Sequence, residues 1–98
     1  LTLPEQGRMV VTGALTFDSV ERGWRDAATL MRQSSGPLEV DLSGVGHCDS
    51  AALALLIDWL RLLRHEGRNM SLTRTPERLM LLAQVSDLEQ ILPFVAHE

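Results

Sequence analysis

The residues best suited to chemistry lie together in one stretch, GVGHCDS, which spans Gly44 to Ser50. Its glycine spacing nearly mimics a dinucleotide-binding fingerprint, but the third glycine is missing and Asp49 would put a carboxylate where a pyrophosphate must approach. We therefore interpret the glycines as serving a tight turn after a strand.

A metal or a cysteine nucleophile is a second interpretation of this stretch. His47, Cys48 and Asp49 are consecutive, however, and three adjacent residues rarely converge on one ion; no second Cys or His cluster supplies further ligands. Cys48, the single cysteine, is better explained as a small buried side chain. The sequence predicts no metal site.

Ser50 lacks the surroundings of a catalytic serine, because there is no G-x-S-x-G elbow and no identifiable base. The chain contains neither lysine nor tyrosine, which excludes a Schiff-base lysine, a Walker A lysine and a tyrosine acid. We predict a protein that is not an enzyme, with no catalytic residues and no cofactor.

Two roles remain open for Ser50 on physical grounds. Asp49 or Ser50 can cap the helix that follows, which would stabilise that helix by about 1 kcal/mol. Alternatively, Ser50 is a contact or phosphorylation point. A phosphate would add about −1.5 to −2 charges, which a helix N-terminus tolerates and an apposed apolar partner does not.

The elements that position this stretch are a strand before it and a long helix after it. Leu38, Val40 and Leu42 alternate with acidic residues, which predicts a strand with one buried face. The helix runs towards Gly67, a residue type suited to a left-handed helix end. Its core stripe is Leu53, Leu56, Leu60 and Leu63.

A second apolar stripe, made of Leu55, Trp59 and Leu62, widens the apolar arc of this helix. Surface helices usually show a stripe of about 100° or somewhat more. The protein's own flanking helices could bury this second stripe. The functional interpretation is a groove for a partner, with Trp59 as its anchor.

The rest of the chain alternates strands with helices. We predict strands at Met9–Val11 and at 69–73. Three helix starts are predicted from capping signals: Asp18 with Glu21, Thr75 with Pro76, and Ser86 with Glu89 for a last short helix stopped by Pro93. The helix that starts at Asp18 is supported by apolar residues at helical spacing: Val20, Trp24, Ala27, Ala28 and Met31. In the helix that starts at Thr75, the residues expected to point inward are Leu79, Leu82 and Ala83.

This order predicts one α/β domain over residues 1–98, with a small mixed, mainly parallel sheet of about four strands and helices packed on one face. The net charge of −4 and pI of about 5.3 argue against a nucleic-acid partner. The longest apolar run, Ala51–Ile57, is too short for membrane insertion. We expect a soluble, cytoplasmic protein.

The segment VDLSGVGHCDSAALALLIDWL resembles the STAS domain, named for sulphate transporters and anti-sigma factor antagonists. Asp41-Leu42-Ser43, Asp49-Ser50 and Leu53–Leu56 carry the resemblance, within a strand and helix order that covers nearly the whole chain. It implies the STAS, or SpoIIAA-like, fold.

Within the family, the short chain with TGALTFDSV near its start is similar to STAS subunits of bacterial Mla-type phospholipid-transport ABC complexes. The resemblance implies a cytoplasmic accessory protein, peripheral to the inner membrane, that binds and supports the ATPase subunit. In anti-sigma factor antagonists the place of Ser50 is the phosphorylated serine, so a kinase-type anti-sigma factor is the alternative partner.

On either interpretation Asp49 and Ser50 form the partner-binding or phosphorylation point. The predicted interface around them is His47, Ala51, Ala52, Leu55, Trp59 and Leu62. The sequence leaves the oligomeric state of the isolated chain open, with a homodimer among the alternatives.

Overall fold

The chain forms a four-stranded sheet with the strand order β1-β2-β3-β4. A computed structural model describes residues 2–5 and 7–95, with side chains described from residue 7 onward. The strands are β1 (Thr2–Glu5), β2 (Arg8–Leu15), β3 (Leu38–Cys48) and β4 (Met70–Thr73). β1 pairs antiparallel with β2, whereas β2 with β3 and β3 with β4 are parallel, so the sheet is mixed and mainly parallel, as predicted.

Three helices connect or follow the strands: α1 (Val20–Arg32), α2 (Ser50–His65) and α3 (Glu77–Val85). One sheet face supplies the core, because Met9 and Leu72 are fully buried while their strand neighbours are only partly so. Alternation of this kind places helices on one face of the sheet. The predicted fold class is confirmed.

The opposite face carries a polar network around Asp41, which is only 1% exposed. Its carboxylate accepts hydrogen bonds from Arg8 Nη2 at 2.6 Å and from the Ser43 backbone N–H at 2.9 Å, and Arg74 Nη1 lies 3.6 Å away. Burial by itself would raise the pKa of Asp41, but the hydrogen bonds from Ser43 and Arg8 and the charge of Arg74 outweigh it and lower that pKa.

β3 continues through the glycines that the sequence analysis assigned to a turn. Its pairing with β2 shifts twice, because two residues of β3 face one of β2 between Asp41 and Gly44 and again between Val45 and Cys48. Such bulges bend and twist a strand. The turn prediction was therefore wrong, and the C-terminal half of β3 carries Gly44 and Gly46 within the sheet.

Gly44 is required by a close approach between strands. A Cβ at this position would lie 2.8 Å from Thr12 Cγ2 and 2.9 Å from the Val11 carbonyl oxygen. At Gly46 nothing lies within 4 Å of such an atom. The two glycines, alike in sequence, thus differ in what they do.

The predicted helix boundaries were partly right. Gly67 has φ +72°, and the Arg68 N–H donates to the Leu63 carbonyl at 2.9 Å, so α2 ends at a left-handed glycine as predicted. The N-cap of α1 is Ser19 rather than Asp18, and the Ser19 hydroxyl donates to the Ala14 carbonyl instead of capping.

The third helix also begins differently from the prediction. Its N-cap is Pro76, and the Thr75 hydroxyl is buried without a hydrogen-bond partner among the described residues. The segment from Ser86 to Glu89 forms turns rather than a last helix. Phe94 instead forms an isolated parallel bridge with Leu72 at the edge of the sheet.

Candidate functional site

The N-terminus of α2 is capped by Asp49, whose carboxylate makes two bonds. Oδ1 accepts from the Ala51 N–H at 2.9 Å, which is the N-cap bond. Oδ2 accepts from the Phe17 N–H at 3.3 Å, in the loop between β2 and α1. Asp49 thereby fixes both the start of α2 and the segment beside it.

Ser50 is the first residue of α2 and is exposed. Since Asp49 provides the cap, the Ser50 hydroxyl has no structural role in starting the helix. Of the two roles that the sequence left open, capping therefore belongs to Asp49. The hydroxyl stands free at the positive end of the helix dipole.

Most of the predicted apolar interface is inside the protein, and this part of the prediction was wrong. Trp59 is 0% exposed and Leu55 1%, and Ala51 and Ala52 are also buried. Leu62 is half-buried and packs against the core. From the predicted set, His47 and Ser50 remain exposed, and Asp49 and Leu62 are partly accessible.

The second apolar stripe is covered by neighbouring helices. α2 contacts α1 on one side and α3 on the other. At Gly23 of α1, an added Cβ would lie 3.1 Å from Leu55 Cδ2, which shows how closely the two helices approach. The alternative that flanking helices bury the second apolar stripe is thus correct. The exposed positions of α2, such as Ala54, Asp58 and Arg61, are small or charged.

Two exposed residues near Ser50 were not identified from the sequence. Phe17 is 72% exposed, although its backbone N–H is held by Asp49. Arg78 of α3 donates from Nε to the Cys48 carbonyl at 3.3 Å, two residues before Ser50. No sequence signal places them there, because both contacts depend on how α1 and α3 pack around the end of β3.

We call the accessible residues at this end of the sheet the Ser50 surface: Ser50, Phe17, His47, Ala54 and Arg78. It combines a free hydroxyl, an aromatic ring, an imidazole and a guanidinium. Aromatic and arginine side chains are the types enriched at protein interfaces. The arrangement is suited to contact with another macromolecule.

Thiol and metal chemistry are not supported here. Cys48 is 1% exposed, and burial raises the pKa of its thiol even though the Arg78 charge acts against this. Among residues 7–95, no group of three or more His, Cys, Asp or Glu side chains is placed to hold a metal ion.

Trp24 of α1 belongs to the apolar residues at helical spacing, yet it is 43% exposed. Among the side chains of residues 7–95, the other large apolar ones with substantial exposure, besides Phe17, are Leu81, Val85, Ile91 and Val95. None of the helices in the described part of the chain is both long and apolar enough to cross a membrane.

Comparison with known proteins identifies the family of the chain. The family described as Mlab, STAS domain, matches residues 2–93. No curated protein sequence matches the chain.

The solved structures that share the fold include two anti-sigma factor antagonists. One, from Thermotoga maritima and assigned as an anti-sigma factor antagonist, has a TM-score of 0.78 at 14% identity and covers 95% of this chain and 82% of its own. The other is the anti-sigma factor antagonist SpoIIAA in its unphosphorylated form, with a TM-score of 0.67, 15% identity and coverage of 99% and 86%. At these identities the likeness establishes the fold alone.

Proposed function

The chain belongs to the Mlab STAS-domain family, and from this premise we propose that it is a non-enzymatic module that binds a partner protein through the Ser50 surface. The observation that carries the proposal is the free Ser50 hydroxyl at the start of α2, with Asp49 performing the cap in its place. The Ser50 hydroxyl is not needed to cap α2 and lies beside an exposed Phe17, so it is suited to contact a partner protein.

One partner class is the ATPase subunit of a phospholipid-transport ABC complex. The description of the matching family supports this class. In this role the chain is cytoplasmic, lies at the inner membrane only through its partner, and supports assembly or activity of the ATPase. The Ser50 hydroxyl then serves as a contact and stays unmodified.

The second partner class is a kinase-type anti-sigma factor, for which Ser50 is the phosphorylation site. Two solved structures that share this fold are described as anti-sigma factor antagonists, and the exposed hydroxyl is accessible to a kinase. A phosphate would add about −1.5 to −2 charges at the α2 N-terminus and block a tight apolar contact there. Phosphorylation would thus switch the binding off.

The test compares Ser50→Arg with Gln33→Arg in binding to the purified ATPase and to the purified kinase encoded nearest to this chain. Gln33 is exposed at the C-cap of α1, at the other end of the sheet. The Gln33→Arg substitution therefore adds the same charge as Ser50→Arg, but outside the Ser50 surface. We expect one partner to bind the wild type, Gln33→Arg to bind equally, and Ser50→Arg to bind at least about tenfold more weakly.

Equal binding of all three proteins would show that the Ser50 surface is not the contact. If the wild type binds neither the ATPase nor the kinase, the proposed function is rejected. To distinguish the classes, the chain is incubated with the kinase and ATP and analysed by mass spectrometry. Phosphate on Ser50 that is lost in Ser50→Ala supports the antagonist role, and an unmodified chain that stimulates the ATPase supports the transport role.

A further inference from the structure

The outward face of α3 is apolar and open. Leu81 is 51% exposed and Val85, one turn later, is 84% exposed. With Glu77, Arg78 and Leu82 they line a shallow, open depression of about 370 Å³ along this helix, which we call the α3 groove. The inward side of the same helix is occupied by Leu79 and Ala83, and Leu82 packs against the core, so Leu81 and Val85 are the apolar side chains left open.

Arg78 belongs both to the α3 groove and to the Ser50 surface. Its Nε is bonded to the Cys48 carbonyl, at the end of β3 that leads into α2. Among the described residues it makes no other hydrogen bond and no ion pair, so its two terminal nitrogens are unpaired. A protein that reaches Ser50 therefore meets Arg78 and the start of the α3 groove on the same side.

An arginine with its terminal nitrogens free presents a planar fork that fits a carboxylate in a bidentate manner. Leu81 and Val85 follow it along one side of a helix, at a spacing of about one turn, which is the pattern that receives the apolar side of an amphipathic segment. Charge and apolar contacts are thus arranged in sequence along the groove.

We propose that the α3 groove binds an amphipathic segment of the partner protein, in which an Asp or Glu pairs with Arg78 and apolar side chains cover Leu81 and Val85. This inference rests on the proposed function and extends it, because it adds a second contact and states the partner's chemistry. We assign the segment to the same partner because Arg78 belongs to both the Ser50 surface and the α3 groove, so a protein bound at Ser50 also reaches the groove.

The first test measures affinity for the partner identified with Ser50→Arg. Arg78→Ala is compared with Arg61→Ala, which removes the same charge from the exposed side of α2. We expect about a tenfold loss for Arg78→Ala and less than about twofold for Arg61→Ala. Arg78→Lys restores only part of the affinity if a bidentate fork is needed.

The apolar half of the groove is tested with Val85→Asp against Val95→Asp. Both valines are exposed, but Val95 lies at the sheet edge, where its N–H is bonded to the Leu72 carbonyl. Val85→Asp is expected to weaken binding about tenfold or more, and Val95→Asp to leave it within about twofold. Thermal unfolding of each variant checks that the fold is retained.

Photo-crosslinking then identifies the occupant. A benzoylphenylalanine at position 85, with position 65 at the far end of α2 as control, is irradiated in the complex and mapped by mass spectrometry. We expect adducts to a partner segment that contains an acidic residue, and none from position 65. Charge reversal of that acid should rescue Arg78→Glu.

The outcomes separate the two proposals. If Ser50→Arg abolishes binding while Arg78→Ala and Val85→Asp bind fully, the groove is not a contact and the proposed function stands. Adducts at position 85 to a second copy of this chain would assign the groove to self-association and overturn the inference. If the wild type binds neither ATPase nor kinase, the proposed function itself fails.

Discussion

The Asp49 carboxylate lies between the backbone N–H groups of Ala51 and Phe17, at 2.9 Å and 3.3 Å. One side chain therefore starts α2 and also holds the loop that presents Phe17. The Asp49 N–H in turn donates to the Leu15 carbonyl at 3.2 Å, which joins this residue to the end of β2. The geometry of the Ser50 surface depends on this junction more than on Ser50 itself.

We predict that Asp49→Ala lowers the free energy of unfolding by about 1–2 kcal/mol, because the cap bond is lost. Ser50→Ala should change it by less than about 0.5 kcal/mol, because the hydroxyl of Ser50 caps nothing. Urea unfolding measures both. A cost for Ser50→Ala equal to that of Asp49→Ala would mean that the serine caps the helix after all.

Trp59→Ala is expected to destabilise the fold by about 3–5 kcal/mol, the usual cost of removing a buried aromatic ring. Trp59→Phe should cost less, because it also removes an indole N–H that is buried without a partner among the described residues. Denaturant unfolding gives both values. A Trp59→Ala variant as stable as the wild type would place the ring outside the core.

Gly44→Ala is expected to cost about 1–3 kcal/mol, since the new methyl would press on Thr12 and on the Val11 carbonyl oxygen. Gly46→Ala, two residues later, meets open space and should be close to neutral. Thermal denaturation of the pair provides a matched comparison. Thr12→Ala should recover only part of the loss, because the carbonyl oxygen remains; equal melting temperatures for the two glycine variants would contradict the close approach.

The network around Asp41 gives a pH dependence with a defined sign. The pKa of Asp41 is lower in the folded state than in the unfolded chain, so its stabilising effect is complete above the unfolded value of about 3.9. This contribution is lost as the pH falls from there through the folded pKa, because the unfolded state takes up the proton first.

Asp41→Asn should therefore be less stable than the wild type at pH 7, by roughly 1–3 kcal/mol for hydrogen bonds to a charged group. The two stability curves should converge below about pH 4. Unfolding measured by circular dichroism between pH 7 and pH 3 tests this, with Asp58→Asn on the exposed side of α2 as control. A constant difference at every pH would show that the Asp41 charge is not responsible.

The sequence was most informative where one local pattern decides the structure. Alternation in β3 and β4 predicted the single buried face, and Gly67 predicted the end of α2. Capping signals were less reliable. Of the two candidates for the N-cap of α2, Asp49 is the residue that caps, whereas at α1 the Ser19 hydroxyl donates to the Ala14 carbonyl instead of capping. Local hydrogen bonds of this kind compete with capping and leave no mark in the sequence.

The candidate site could be predicted only in part, because exposure is decided by what packs alongside. A broad apolar arc on α2 looks the same whether a partner or the protein's own helices cover it. In this fold α1 and α3 cover it, so Trp59 is inside, while Phe17 and Arg78 reach the surface from other elements. Phe17 lies 32 positions from Asp49, and Arg78 lies 28 positions from Ser50. Both separations are beyond the range of local sequence patterns.

Because the carboxylate of Asp49 caps α2, folding does not require a particular side chain at position 50. Replacements there can alter which protein is recognised, or whether an enzyme can modify the chain, at little cost in stability. A lineage could thus exchange one partner for another, or gain and lose covalent control, by changing a single codon while the scaffold beneath stays intact.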